Sequence, residues 1–248
     1  MKSHLSILSA AVLFVLGSYN ADAKPSAVLQ SGNGHSSPGR PASQHRTAPA
    51  SGSILYDQTS GMTGAVIPAD NWTLFYASYS TQGADDFVVP TGQTWTIESF
   101  YIPYGQQASA TWLPSSADVL LIADDGSGHP TGAVVCVGTA TAETASGSNF
   151  TFTLATPCML PQGTYWLELA FDGVVNFTMA AGWAVRSPVA GQPAQWQDPG
   201  HTYGTTCSTW GDFATCFPTV PSSRLGGDFA FQILGATDDI FFGGFEAP

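Results

Sequence analysis

Positive charge is what this chain has least of. Six lysines and arginines stand against eighteen aspartates and glutamates, a formal net charge of −12. Between Ile54 and Gly235 the only basic side chains are Arg186 and Arg224, and no lysine occurs there. Such a surface repels a phosphate backbone and anionic headgroups alike, which excludes nucleic acid and membrane-surface binding as functions.

Long apolar runs are also missing. The only candidate is Leu5 to Leu16, well short of the roughly 20 residues that cross a bilayer. Lys2 before it and Ala21-Asp22-Ala23 after it complete a cleavable export signal over residues 1–23. No transmembrane segment is expected in the mature chain, and the destination is the periplasm, outer cell surface or medium. Residues 24–53 hold Ser, Gly, Pro, Ala, Gln and His with few large apolar groups, so they read as a flexible linker.

Catalytic signatures are absent too. There is no G-x-S-x-G elbow, H-E-x-x-H pair or phosphate-cradling glycine loop. Only His129 and His201 fall within the folded part, so any serine-based site would depend on one of them as base. No C-x-x-C spacing occurs, which argues against a zinc site for the four cysteines. An exported chain instead predicts disulfides. Cys136 lies on one predicted strand and Cys158 just after another, with the turn-rich 139–148 between them. That hairpin predicts Cys136–Cys158 and leaves Cys207 with Cys216.

No segment keeps a helical period for three turns, whereas alternation of period two recurs. In 165–171, Tyr165, Leu167, Leu169 and Phe171 form one face and Trp166, Glu168 and Ala170 the other. Similar runs at 86–89, 94–102, 118–123, 133–137, 150–154, 174–179 and 228–234 are separated by turn residues such as Pro90-Thr91-Gly92 and Pro161-Gln162-Gly163. The expectation is an all-β fold: a single antiparallel β-sandwich, jelly-roll-like, over 54–236, followed by a C-terminal tail at 237–248.

Candidate site residues follow from side-chain chemistry. Trp210, Trp196, Tyr203 and Trp166, with Trp112, occur in mixed or polar contexts, where an indole or phenol face either stacks on a sugar or closes a core. Asp124 and Asp125 precede Gly126-Ser127-Gly128, the ingredients of a calcium loop and equally of a hairpin turn; calcium is the one metal the chain suggests. Glu98 and Glu168, each on the less apolar face of its strand, are the conceivable glycosidase pair.

The runs Gly83-Ala84-Asp85-Asp86-Phe87-Val88-Val89-Pro90, Leu160-Pro161-Gln162-Gly163-Thr164-Tyr165-Trp166-Leu167 and Gly227-Asp228-Phe229-Ala230-Phe231-Gln232-Ile233 resemble a widespread group of uncharacterised bacterial exported proteins. In that group one β-sandwich domain precedes varied C-terminal sorting or anchoring signals. The end, Asp239-Ile240-Phe241-Phe242-Gly243-Gly244-Phe245-Glu246, resembles a Gly-Phe-Glu tail found on exported proteins of gammaproteobacteria. The resemblance implies fold and export and carries no catalytic residue. The absent catalytic signatures and the Trp- and Tyr-bearing loops favour a surface- or matrix-associated binding or structural protein, with an extracellular or cell-surface polysaccharide as partner, over a secreted hydrolase.

Overall fold

The computed structural model describes residues 52–72, 80–106, 114, 116–145, 149–174, 181–201, 203, 205–218 and 220–239. The expected export signal, the expected linker up to residue 51, Trp112, residues 175–179 of one expected strand and residues 240–248 of the expected tail lie outside them.

The fold is all-β. Its strands are β1 (Ser53–Asp57), β2 (Met62–Pro68), β3 (Asp70–Trp72), β4 (Gln82–Gln106), β5 (Ser116–Ala123), β6 (Val134–Ala145), β7 (Asn149–Val174), β8 (Ala181–Arg186), β9 (Gln195–Gln197), β10 (Gly211–Asp212), β11 (Asp228–Phe229) and β12 (Gln232–Asp239). Two single-turn helices, α1 (Phe213–Cys216) and α2 (Ser222–Leu225), interrupt the last third. All twelve strands join one hydrogen-bonded network, antiparallel except where β3 runs parallel to β7.

Two long strands carry the architecture. β4 and β7 pair from Gly83 opposite Leu169 to Val89 opposite Gly163, and resume at Thr94 opposite Pro161 after a register shift. The shift falls at Pro90-Thr91-Gly92 and Pro161-Gln162-Gly163, where Gly92 adopts a φ of 81° and its N–H donates to Gln162 Oε1 at 2.7 Å. These turn residues bend both strands together; they do not end them. The expected short strands 86–89 and 94–102 are therefore two halves of β4, and 150–154 and 165–171 two parts of β7.

On one side of the bend β9, β4, β7, β5 and β6 lie side by side; on the other, β12 pairs β4 and β1 pairs β12. β6 pairs β5 in the first half and β7 in the second, tying the halves together.

One large cluster forms the core, including Phe87, Ile97, Phe152, Leu167, Trp183 and Phe231 from both halves. Each such side chain stabilises by about 1.5–3 kcal/mol through burial. Trp183 stacks on Phe229 with centroids 4.2 Å apart, and its Nε1–H donates to the Ala230 carbonyl at 2.8 Å. The disulfides are Cys136–Cys158, joining β6 to β7, and Cys207–Cys216, as the spacing predicted.

The domain end departs from expectation. β12 does not stop at Gly235; it bulges between Leu234 and Gly235, then pairs Ala236 with Thr96 and Asp239 with Gln93. The first residues assigned to the tail are thus paired strand. A Cβ on Gly235 would meet the Thr96 carbonyl oxygen at 1.9 Å, so this glycine permits close backbone approach within a continuing strand.

Candidate functional site

Alternation along β7 places Leu167, Leu169 and Phe171 in the core and turns Trp166, Glu168 and Ala170 to the opposite face of the sheet. That opposite face divides into an apolar end and a polar end.

At the apolar end Ala84, Ile122 and Trp166 form a second small cluster, covered by Leu120 and Trp210. Trp166 is fully buried and its Nε1–H donates to Asp124 Oδ1 at 3.0 Å. Trp196 is equally buried: its Nε1–H donates to the Pro68 carbonyl at 2.7 Å and its ring packs against Phe217 and Tyr203. Neither indole offers a face to a ligand, which corrects the expectation for both. The loops after β8 and β9 cover Trp166, whereas Trp196 sits opposite Gly83 on the core side and belongs to the main core; alternation within a strand carries no record of what a distant loop covers. Tyr203 is half-buried, its N–H donating to Asp198 Oδ2 at 2.8 Å, and burial, then Asp70 and Asp198, raise its hydroxyl's pKa. Trp210 is half-buried as the lid of the small cluster.

At the polar end lies a cleft of about 560 Å³ whose walls include Asn71, Thr81, Gln82, Asp118, Thr139 and Glu168. Glu168 sits opposite Ala84 of β4 and Leu120 of β5. It is only 7% exposed and makes no hydrogen bond or ion pair among the described residues, and burial alone pushes its carboxyl up to about 7. Asp118, opposite Ala170, lies two positions along β5 on the same face. Its Oδ2 accepts from Asn71 Nδ2 at 2.9 Å and its Oδ1 from Thr139 Oγ1 at 3.3 Å. The same Asn71 amide reaches Asp172 Oδ1 at 3.1 Å, while Ser116 Oγ donates to Asp172 Oδ2 at 3.1 Å. Burial, then the charge of Asp118, raises the Asp172 pKa.

Glu98 does not join Glu168. It stands at the β4 irregularity between Ile97 and Ser99, beyond the bend, whereas Glu168 pairs with the start of β4. The carboxylate that shares the cleft with Glu168 is Asp118, which the sequence reading missed because nothing local marks two strands as neighbours.

Asp124 accepts from Trp166 and, at 3.4 Å, from Gln192 Nε2. Asp125 closes its turn, accepting from the Ser127 N–H at 2.9 Å and Thr131 Oγ1 at 3.2 Å, and bonds from Ser127 lower its pKa. Among the described residues no group of three or more His, Cys, Asp or Glu is placed to hold a metal ion. The His129 ring lies 2.7 Å from Gln195 Oε1, and that of the exposed His201 lies 3.5 Å from the Thr205 carbonyl. Neither ring bonds a serine hydroxyl among the described residues.

A buried acidic group also escaped sequence reading. Asp85 points to the core side and accepts from Gln58 Nε2 and the Phe229 N–H, both at 2.7 Å. Burial, then the charge of Asp228, raises its pKa. Asp228 meets Arg186 Nη1 at 3.1 Å, yet burial still lifts it to about 6. Asp86, on the other face, accepts from the Gln192 N–H at 2.9 Å and is likewise raised by burial to about 6. Arg186 as one of two basic residues in an acidic domain was the only sequence signal for this network.

No protein-family model matches the chain, and no curated protein matches it. The two disulfides point to an oxidising, non-cytoplasmic compartment. Among the described residues no helix is long and apolar enough to cross a membrane.

Proposed function

We propose that this is an exported protein of the cell surface or extracellular matrix that binds glycan in the cleft around Glu168, with the segment 240–248 acting in its sorting. The observation that carries the reading is Glu168 itself: nine-tenths buried, unpartnered, and facing a cleft walled by amides, hydroxyls and carboxylates. Such groups match the hydroxyls of a sugar, and a buried carboxyl without a partner is unfavourable until a ligand supplies one. A glycan array probed with the mature domain should show binding that Glu168→Leu removes while the fold persists. Binding that survives this substitution would place the ligand elsewhere.

One observation favours hydrolysis as a second reading. Asp118 and Glu168 are diagonal neighbours on the same face of adjacent strands and line one cleft, so two carboxyls of unequal burial face a common space. Inverting glycosidases separate their carboxyls by about 6.5–9.5 Å. Protonated Glu168 would give its proton to the leaving glycosidic oxygen as the anomeric C–O bond breaks; Asp118 would take a proton from the water whose oxygen bonds that carbon. Release of reducing ends that is lost in both Glu168→Gln and Asp118→Asn would establish this second reading; intact oligosaccharides with the wild type would leave binding alone.

A further inference from the structure

We propose that the cleft selects amine-bearing saccharides, the ligand's ammonium group entering between Glu168 and Asp118. This inference rests on the glycan-binding reading and names its ligand class.

The first argument is the missing counter-charge. The described residues hold two basic side chains other than histidine; Arg186 is engaged with Asp228, Arg224 lies on α2, and neither is among the cleft's walls. The cleft walls contain Asp70, Asp118 and Glu168 and no cation or histidine. Asp70 and Glu168 are buried and Asp118 is exposed; carboxylates gathered without cations raise the local negative potential, and a low-dielectric wall focuses it into the opening.

The second argument is Glu168's unused bonding capacity. An ionised carboxylate is acceptor-only with room for several donors, and Glu168 receives none. A neutral sugar hydroxyl offers one donor and no charge. An ammonium group offers three donors and the opposite charge, so it satisfies what the protein leaves open.

The third argument comes from the adjacent wall. Asp118 and Asp172 share the single Asn71 amide as a donor, a like-charged arrangement that a nearby cation relieves. With their donors engaged inside the protein, the Asn71 carbonyl and the Thr139 hydroxyl oxygen keep acceptor capacity, and the Gln82 amide its N–H groups, for the hydroxyls of a polyhydroxylated ring. A bare diamine would leave them unused.

The experiment compares one saccharide with and without free amines. Binding of chitotetraose (N-acetylated) and of its fully deacetylated form to the mature domain is measured by calorimetry at pH 7.5 and physiological salt. The deacetylated form should bind at least tenfold tighter, and the double variant Glu168→Gln/Asp118→Asn should bring the two within about twofold, with its fold verified by circular dichroism. Glu98→Gln, which removes one charge outside the cleft, should leave the preference unchanged. Equal affinities in the wild type, or binding of neither form, would overturn the amine preference; the glycan-binding reading stands or falls separately on the array. A preference lost equally in Glu98→Gln would reduce it to net charge, and putrescine binding as tightly as the deacetylated tetramer would remove the saccharide from it; either result overturns the inference.

Discussion

Glu168 is a side chain whose burial has a measurable consequence in the absence of ligand. Its carboxyl is pushed from an ordinary 4.5 up to about 7 by desolvation, so the folded protein holds a proton that the unfolded chain releases. Its contribution to stability is therefore fully present below about pH 4.5 and is lost as pH rises through about 7. A shift of this size corresponds to roughly 3 kcal/mol. Asp86 and Asp228, both raised to about 6, act in the same direction within a lower window. Urea unfolding between pH 4.5 and 8 should show stability falling with pH, and Glu168→Gln should flatten the upper part of that fall. An unchanged slope in the variant would mean that Glu168 is solvated. Arg186 poses the opposite case. Removing it by Arg186→Ala takes the counter-charge from buried Asp228, which keeps the Ala190 N–H as a donor, and strands the Ser60 carbonyl; it should cost about 3–5 kcal/mol. Denaturant midpoints check this, and Arg186→Ala/Asp228→Asn should recover part of the loss. At this scale the sequence was half legible. Alternation assigned Leu167, Leu169 and Phe171 to the core and Glu168 to the other face, but it could not distinguish an open face from one roofed by a loop, which left Trp166 open between sugar surface and core; Trp196, on a three-residue strand, gave no alternation to place it in the main core.

Elements were legible by type and misjudged by extent. Pro90-Thr91-Gly92 and Pro161-Gln162-Gly163 are sound turn chemistry, yet the chain continues through them because they lie opposite each other in one ladder and bend together. Local composition specifies a change of direction; whether that change reverses a strand or only kinks it depends on the partner strand. Gly235 repeats the lesson, since its need for a missing Cβ comes from Thr96 on another strand. Gly235→Ala should therefore destabilise, by about 1–3 kcal/mol for the backbone shift it forces. Removing 240–248 should leave the melting temperature unchanged and alter where the protein accumulates. Truncation after Gly235 should lower it, because the pairs from Ala236–Thr96 to Asp239–Gln93 go with it. If the two truncations melt alike, the distal half of β12 contributes nothing.

For the whole molecule, the disulfides link compartment to architecture. Both pairings were legible because one pair spans a predicted hairpin and the other remains by elimination, whereas the cleft was not, since it needs β3, β5, β6 and β7 brought together across the sheet. The two bridges close segments with sequence separations of 22 and 9, so restriction of the unfolded chain alone predicts similar contributions, about 3 kcal/mol each. Their positions in the folded state differ. Cys136–Cys158 joins β6 to β7 at the margin of the main core, and releasing it should lower protection of the whole sheet. Cys207–Cys216, which lies with Phe213 and Phe217 in the main core, staples the segment that carries Trp210 over Trp166 and Ile122 and that also supplies β10, a two-residue strand paired among the described residues with β9 alone. Hydrogen exchange on Cys207→Ala/Cys216→Ala should thus show faster exchange concentrated in 205–218 and around Trp166, with β4 and β7 retaining most of their protection. On Cys136→Ala/Cys158→Ala the loss should be spread over β4, β5, β6 and β7. If both variants lose protection uniformly, the cystine loop is part of the cooperative core, and Trp210 is then a core residue with no separate role as a cover.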